Sequence, residues 1–421
     1  MLQLSFFREE KHRILDGLKK RNFKNIELVD EVVFLDGKRR EMKFDLESYL
    51  SEMNKISKEI GFLMKKGKKN EANEAKQKTI NIKEKIKNIQ VELSEVESSL
   101  QNILYQIPNI PHKLVKAGNS EEDNEIIFQS YEVKAIGEGA IPHWELATKY
   151  NIVNFELGVK IAGAGFPVYL GKGAKLQRSL VQFFLDKNTS KGYIEVNPPH
   201  VANEASGYGT GQLPDKEGQM YFIGEDNLYL IPTSEVPVTN IYRDEILDES
   251  KLPIKHTAFS QCYRREAGSY GSHVRGLNRL HQFEKVEIVR FEKPENSYAA
   301  LDEMVEHVKE ILTDLELPYR ILRLCGGDTG FASAMTYDFE VWSAAQGKWL
   351  EVSSVSNFET FQSNRLKCRY KTGEKTQLVH TLNGSAMALP RIMAAILENN
   401  HTPNGIFIPE KLRSYTGFDR I

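Results

Sequence analysis

Cysteine is scarce in this chain, and nothing in it stays apolar for long. Only Cys262, Cys325 and Cys368 occur in 421 residues. Their wide spacing excludes a paired-ligand zinc motif, and an odd, sparse set offers no disulfide framework. They read as core or incidental thiols, and no zinc is expected. The apolar opening, residues 1–7, is broken at once by "REEKHR", and no later stretch reaches the length of a membrane span. No membrane partner is therefore expected, and the cytoplasm is the expected location. An excess of either charge is also missing: 56 basic and 58 acidic residues leave a formal net charge of -2, so any attraction to nucleic acid must be local. The patterns GxxxxGKS/T, GxGxxG after a strand, HExxH and CxxC do not occur, which removes the familiar phosphate loops and zinc sites. There is no internal repeat and no low-complexity tract.

What is present divides into two parts. Val32, Leu35, Met42, Leu46, Tyr49, Met53, Ile56, Ile60 and Leu63 recur at alternating steps of three and four, interrupted only by Arg39. That is the spacing of a coiled-coil seam. After "KKGKKNE" the pattern restarts at Ala72 and runs through Ala75, Thr79, Ile82, Ile86, Ile89, Leu93, Val96, Leu100, Ile103 and Ile107. The break contains Gly67 and is short enough only for a tight reversal, so the two seams are expected to pack as an antiparallel helical hairpin. At about 1.5 Å per residue each arm would span some 45 to 55 Å, long enough to project from a compact body. Residues 55–87 hold eleven lysines against four glutamates, a local charge of +7. A solvated coiled-coil surface explains this, and so does a grip on phosphates. The stretch lacks aromatic interleaving, which under the second reading favours duplex or backbone contact over base stacking.

Pro108 and Pro111 end the second helix. Domains of 1–115 and 116–421 are expected, joined through the acidic "SEEDNE" region. Beyond it the period changes. Residues 176–185 read as an amphipathic helix, and "YIEVNPPHV" as a short strand closed by Pro198 and Pro199. "QMYFI" and "LYLIP" form a hairpin around "GEDN". "HTAFSQCYRRE" and "HQFEKVEIVRF", and then "YDFEVW" and "WLEVSSVSNF", are further pairs with links too short for a parallel crossover. The fold class is α+β: an N-terminal antiparallel coiled-coil hairpin followed by an antiparallel sheet with added helices.

Several strand ends carry groups capable of chemistry. Alternation along "CYRRE" would put Arg264 and Glu266 on one face and Arg265 on the other. A guanidinium suits a phosphate and a nearby carboxylate can accept from an exocyclic amine, although a cross-strand ion pair gives the same spacing. In "HQFEKVE" the same parity aligns His281, Phe283, Lys285 and Glu287, either as base stacker and amine acceptor or as core aromatic with a charged rim. His281 reads as structural, since nothing nearby completes a triad. Glu351 with Ser353 and Ser354 offers hard oxygen ligation suited to magnesium, or is simply a serine-rich strand. Asn383 and Ser385 share a face, and Arg391 follows Pro390 close to a helix start.

Taken together, "GTGQLP", "IPTSEVPVTN", "CYRREAGSYG", "GLNRLHQFEKVE", "TYDFEVW", "EVSSVSNFETFQ" and "LVHTLNGSA", preceded by the helical hairpin, make the chain resemble the seryl-tRNA synthetases, a class II aminoacyl-tRNA synthetase family, over essentially its whole length. The resemblance implies a class II antiparallel catalytic sheet and a homodimer whose interface includes the helix and strand ending at Pro199. It implies ATP and Mg2+ as substrate and cofactor, with L-serine activated to seryl-adenylate and then passed to the terminal adenosine of tRNA(Ser), and of tRNA(Sec) where one exists. By the same resemblance Arg264 and Arg391 are catalytic, holding the α- and γ-phosphates. Arg265, Glu266, Phe283, Val352 and Ser353 complete the ATP site with Glu351 and Ser354, which also hold the metal. Thr233, Ser234, Glu235, Glu287, Asn383 and Ser385 line the serine pocket, and Lys65, Lys66, Lys68, Lys69, Lys76 and Lys78 contact tRNA. Ser234 stands where the family commonly has alanine. Glu351 and Ser354 have opposite strand parity, so both can face one ion only if the strand bulges or ends between them. The rival readings are a synthetase paralogue acting on another small amino acid or a carrier protein, and an RNA-binding protein with a degenerate catalytic domain.

Overall fold

The computed structural model describes residues 1–130, 140–215, 217–267 and 275–421. Two compact units emerge: residues 2–19 with 23–108, and residues 109–421 with Met1 and 20–22.

In the first unit, short helices α1 (Leu4–Glu9) and α2 (Lys11–Lys20), which the seam pattern does not reveal, precede two long ones, α3 (Leu28–Lys65) and α4 (Lys69–Leu104). The reversal is tight because Gly67 takes φ +74°, a left-handed conformation that costs glycine little. The seams meet as expected. Ile56, Ala75, Ile82 and Ile86 form one buried cluster, and Met42, Leu93 and Val96 another. Truncating such an isoleucine to alanine typically costs about 2–5 kcal/mol, so a few of these contacts hold the arm together. Arg39, the one polar interruption, is accommodated by buried Asp36, which it meets at 2.7 Å while Arg8 reaches the same carboxylate at 2.8 Å.

The second unit is built on an eight-stranded sheet. Its strands are β1 (Glu125–Gln129), β2 (Ile194–Glu195), β3 (Ile254–Tyr263), β4 (Gln282–Glu292), β5 (Tyr319–Arg323), β6 (Met335–Ser343), β7 (Lys348–Asn357) and β8 (His380–Ala388). They lie in the order β1-β5-β6-β7-β8-β4-β3-β2. Every pairing is antiparallel except β2 with β3, at one edge. That parallel pair sits at the edge of an otherwise antiparallel sheet. The long connection from β2 to β3 supplies the crossover that a parallel neighbour requires. The small hairpin of Phe222–Ile223 with Leu228–Leu230 forms as read.

Strand alternation sorts the sheet into a dry face and a working face. Val286 and Ile288 on β4, with Leu382 and Ala386 on β8, join the main core. Helices α6 (Gly171–Ser190), α8 (Ser297–Asp314) and α9 (Leu389–Asn399) contribute Leu176, Leu180, Met304, Val308, Ile392 and Ile396 to that core. The opposite face carries Phe283, Lys285 and Glu287. Glu287 is paired in register with Ser385, and Val289 with Asn383. No helix among the described residues is long and apolar enough to cross a membrane.

Candidate active site

At the centre of the working face is a buried, charged pocket. Glu287 (β4) is 2% exposed and is met by Lys285 Nζ at 2.6 Å and by the Thr233 hydroxyl at 3.2 Å. Glu235 starts the short helix α7 (Glu235–Thr239), its amide donating to Thr233 Oγ1 at 3.1 Å, and its carboxylate accepts from Gln362 Nε2 at 2.6 Å. Burial, followed by the charge of Glu287, pushes Glu235 up to about 7, while Gln362, Lys285 and Asn383 pull the other way. Asn383 lies close enough to exert that effect, yet its buried Nδ2 makes no regular hydrogen bond. Two carboxylates thus share one ammonium, with a spare amide donor beside them. Among the described residues the pocket has no second cation.

Of the expected serine-site residues, Thr233, Glu235, Glu287, Asn383 and Ser385 gather here. Ser234 does so only through its backbone, because its hydroxyl is turned to Ser260 Oγ at 2.7 Å. Lys285 and Gln362 were not among the expected site residues. Parity placed Lys285 on the right face, but nothing in the sequence sends Gln362, from the short helix Phe361–Leu366, back to Glu235.

Beside the pocket, the chain leaves β3 at Tyr263, so strand alternation does not govern Arg264–Glu266 as the sequence suggested. The ladder ends because the last bond, Arg264 N–H to His281 O at 2.9 Å, precedes the turn; Arg265 N–H then bonds Gln219 O at 2.8 Å, and Glu266 adopts φ +48°. Arg264 lies over the Phe283 ring at 5.3 Å, and Glu266 pairs with Arg279 at 3.1 Å. Arg265 is exposed. His281 is structural, its Nδ1 lying 3.1 Å from both Tyr221 Oη and Arg264 O. Arg391 sits in the first turn of α9, which begins at Leu389 with Pro390 at its start, where a missing amide costs nothing. Its Nε donates to Asn278 O at 3.0 Å and its Nη1 to Glu351 O at 2.6 Å.

The parity conflict between Glu351 and Ser354 is resolved by a bulge. Across β6 and β7, Phe339 pairs with Ser353 but Glu340 pairs with Glu351, leaving Val352 as the extra residue. Glu351 and Ser354 therefore share a face with their partners Glu340 and Asp338. Ser354 Oγ donates to Asp338 Oδ1 at 2.6 Å; burial first, and Glu351 next, push Asp338 well above the usual carboxylate range. Asp338 was not foreseen, because only the register puts it opposite Ser354. Val352 packs in the main core and Ser353 Oγ donates to Ser385 O, so both present only backbone to the working face. Among the described residues no cluster of three or more His, Cys, Asp or Glu side chains is arranged to hold a metal. A carboxylate and a hydroxyl on one face nevertheless fit magnesium, which takes few protein ligands and completes its shell with water and phosphate oxygens.

On the hairpin, Lys65, Lys66, Lys68, Lys69, Lys76 and Lys78 are all exposed. The stretch is not free of aromatics: Phe62 is 56% exposed, with Lys66 Nζ 4.2 Å from its ring centroid.

This combination of antiparallel sheet, strand-borne arginine and carboxylates, and buried anionic pocket defines a class II aminoacyl-tRNA synthetase core. Residues 222–400 match the tRNA synthetase class II core domain (G, H, P, S and T), and residues 1–111 match the seryl-tRNA synthetase N-terminal domain. The serine–tRNA ligase of Salinibacter ruber is 50% identical over 424 residues, covering 100% of this chain and 99% of that protein. That of Methylacidiphilum infernorum is 47% identical over 393 residues, 92% of each. The crystal structure of seryl-tRNA synthetase from Pyrococcus horikoshii complexed with ATP superposes with a TM-score of 0.93 at 33% identity, covering 100% of this chain and 99% of that one. The chain belongs to the seryl-tRNA synthetase family.

Proposed function

We propose that the chain activates L-serine with ATP and transfers it to tRNA(Ser). The observation that carries this reading is the charge deficit of the pocket: among the described residues Glu235 and Glu287 face one ammonium, Lys285, and an amino acid's own ammonium would supply the missing charge. Thr233 and Ser385 would flank the serine hydroxyl. An analogue without it leaves buried polar groups unpaired, which discriminates far more strongly than a missing methylene.

In the first step the serine carboxylate attacks the α-phosphorus of ATP, and the α–β bridging oxygen leaves with pyrophosphate. No general base is needed, because the carboxylate is already ionised. Arg264 would steady the α-phosphate while stacked over Phe283, which in turn receives the adenine ring. Glu266 would accept from the adenine amine, with Arg265, Val352 and Ser353 completing the nucleotide contacts, the last two through backbone. Arg391 would meet the γ-phosphate. Glu351 and Ser354 would hold magnesium, which when bound would neutralise charge on the phosphate oxygens. Positioning and fixed positive charge are sufficient for such a displacement. In the second step a ribose hydroxyl of the terminal adenosine attacks the serine carbonyl carbon and AMP leaves.

Residues 1–115 would form the tRNA-binding domain and residues 116–421 the catalytic one. The basic hairpin would grip the phosphates of tRNA(Ser), and of tRNA(Sec) in an organism that has one, through Lys65, Lys66, Lys68, Lys69, Lys76 and Lys78. A second copy of the chain would cover the edge at β2, where Ile194 is 64% exposed, giving a homodimer in the cytoplasm. Amino-acid-dependent ATP–pyrophosphate exchange over the twenty standard amino acids tests the assignment. Serine alone should support strong exchange; exchange with another amino acid, or with none, overturns it.

A further inference from the structure

Behind the nucleotide-facing residues lies a polar cluster that the reaction does not use. His143, at the start of α5 (His143–Lys149), is fully buried, and Glu398, near the end of α9, is 5% exposed. His143 Nδ1 lies 2.7 Å from Glu398 Oε1, and its Nε2 accepts the Leu277 amide at 2.8 Å. An amide can only donate, so Nε2 carries no proton and Nδ1 carries the one given to Glu398. Glu398 also receives the His143 amide at 3.1 Å, the Ala345 amide at 3.2 Å and the hydroxyl of Ser343. Burial works to raise Glu398, yet the bonds from His143 and Ser343 carry it below its ordinary value. Gln346 bonds Ser343 Oγ at 2.8 Å and receives Asn278 Nδ2 at 2.8 Å, extending the cluster to the next residue along. Gly276 must be glycine here: it takes φ +69°, and a Cβ would lie 2.3 Å from His143 Nε2.

The strip that this cluster fixes bears on both ends of the nucleotide site. Asn278 O receives Arg391 Nε at 3.0 Å, and Arg279 pairs with Glu266 at 3.1 Å. We propose that His143 and Glu398 form a buried clasp that positions the ATP-contacting groups, holding residues 277–279 so that Arg391 and, through Arg279, Glu266 are oriented together. The inference rests on the reading of Arg391 and Glu266 as ATP contacts. His143 and Glu398 are positioning residues and touch no substrate. Glu287, Asn383 and Ser385 are held by the ladder between β4 and β8, several residues from the strip, so loosening the clasp should be felt by ATP far more than by serine.

The full chain carrying His143→Asn, which keeps a donor toward Glu398 but is too short to place an acceptor where Nε2 meets the Leu277 amide, is the primary test. In pyrophosphate exchange its KM for ATP should rise about tenfold, since small misplacements of reacting groups cost up to about a hundredfold. Its KM for serine should stay within about twofold. His143→Gln, whose amide oxygen can still accept from Leu277, should restore most of the ATP affinity. If His143→Asn does not fold, Gln346→Ala severs the tie to Asn278 at a half-exposed position and should raise the ATP KM alone, by a smaller factor. A lowered melting temperature with both KM values unchanged, or an equal rise in both, overturns the clasp. Arg391→Ala and Glu266→Ala run alongside separate the two levels. If they leave the ATP KM unchanged the nucleotide-site reading fails; if they raise it while the clasp variants do not, the clasp alone fails.

Discussion

Glu235 is the residue whose ionisation the substrate should control. Its ordinary value of 4.5 is pushed to about 7, because a second buried carboxylate without a second cation is costly to ionise. Binding an ammonium reverses that cost, so serine binding should release a proton near neutrality. Titration calorimetry from pH 8.5 to 5.5 should show the serine Kd rising as pH falls below about 7, with a slope approaching tenfold per pH unit. Glu235→Gln should flatten the profile and weaken binding at pH 8. Glu287 and Lys285 face the same carboxylate and remain in both proteins. The stability linkage has the opposite sense. A carboxyl whose folded pKa is raised destabilises the unliganded fold as pH climbs from its unfolded value toward 7. Without serine at pH 8, Glu235→Gln should therefore melt higher, by up to about 3 kcal/mol. Glu235 and Glu287 were legible from their motifs. Lys285 was legible only as sharing a face with Glu287, and Gln362 and Asp338 not at all, because their partners lie across strands or on another helix.

Elements were easier to read than residues, and the reason is periodicity. Seam spacing located α3 and α4 to within a few residues because both helices bury one stripe along their whole length. The short helices α1 and α2 have no such length over which to average. Strand parity was reliable along β4 and for Asn383 and Ser385 in β8; it failed just beyond them, where a register shift leaves both Ala386 and Met387 in the main core, and at the end of β3, where Glu266 leaves the ladder. It also failed in β7, where the extra residue Val352 inverts the relation between Glu351 and Ser354. Bulges and strand ends are set by what the neighbouring strand offers, which a single strand's pattern does not encode. The hairpin makes its own prediction. Deleting residues 55–87 removes the +7 segment but none of the pocket residues. Adenylate formation, followed by pyrophosphate exchange, should survive, while aminoacylation of tRNA(Ser) should fall by more than about tenfold and lose its salt sensitivity. Equal loss of both steps would count against the hairpin as the grip.

For the molecule as a whole, the exposed edge at β2 is the feature to test. Ile194 is 64%, Ile246 51% and Ile241 45% exposed, an apolar group beside a strand edge with unpaired backbone. Sedimentation equilibrium should give a mass near twice 48.1 kDa, and Ile194→Asp with Ile246→Lys should shift it toward the monomer. A wild-type monomer at micromolar concentration would remove the dimer from the proposed function.

Local pattern was enough to specify the helical hairpin, the antiparallel pairings and most of the residues on the working face, since each depends on contacts repeated within a short stretch of chain. The sharing of one lysine by two buried carboxylates, the bulge that turns Glu351 toward Ser354, and the clasp joining His143 to Glu398 came only from the folded structure. Those depend on side chains brought together from positions up to 255 residues apart, whose burial raises the energetic stakes of every unpaired charge or donor.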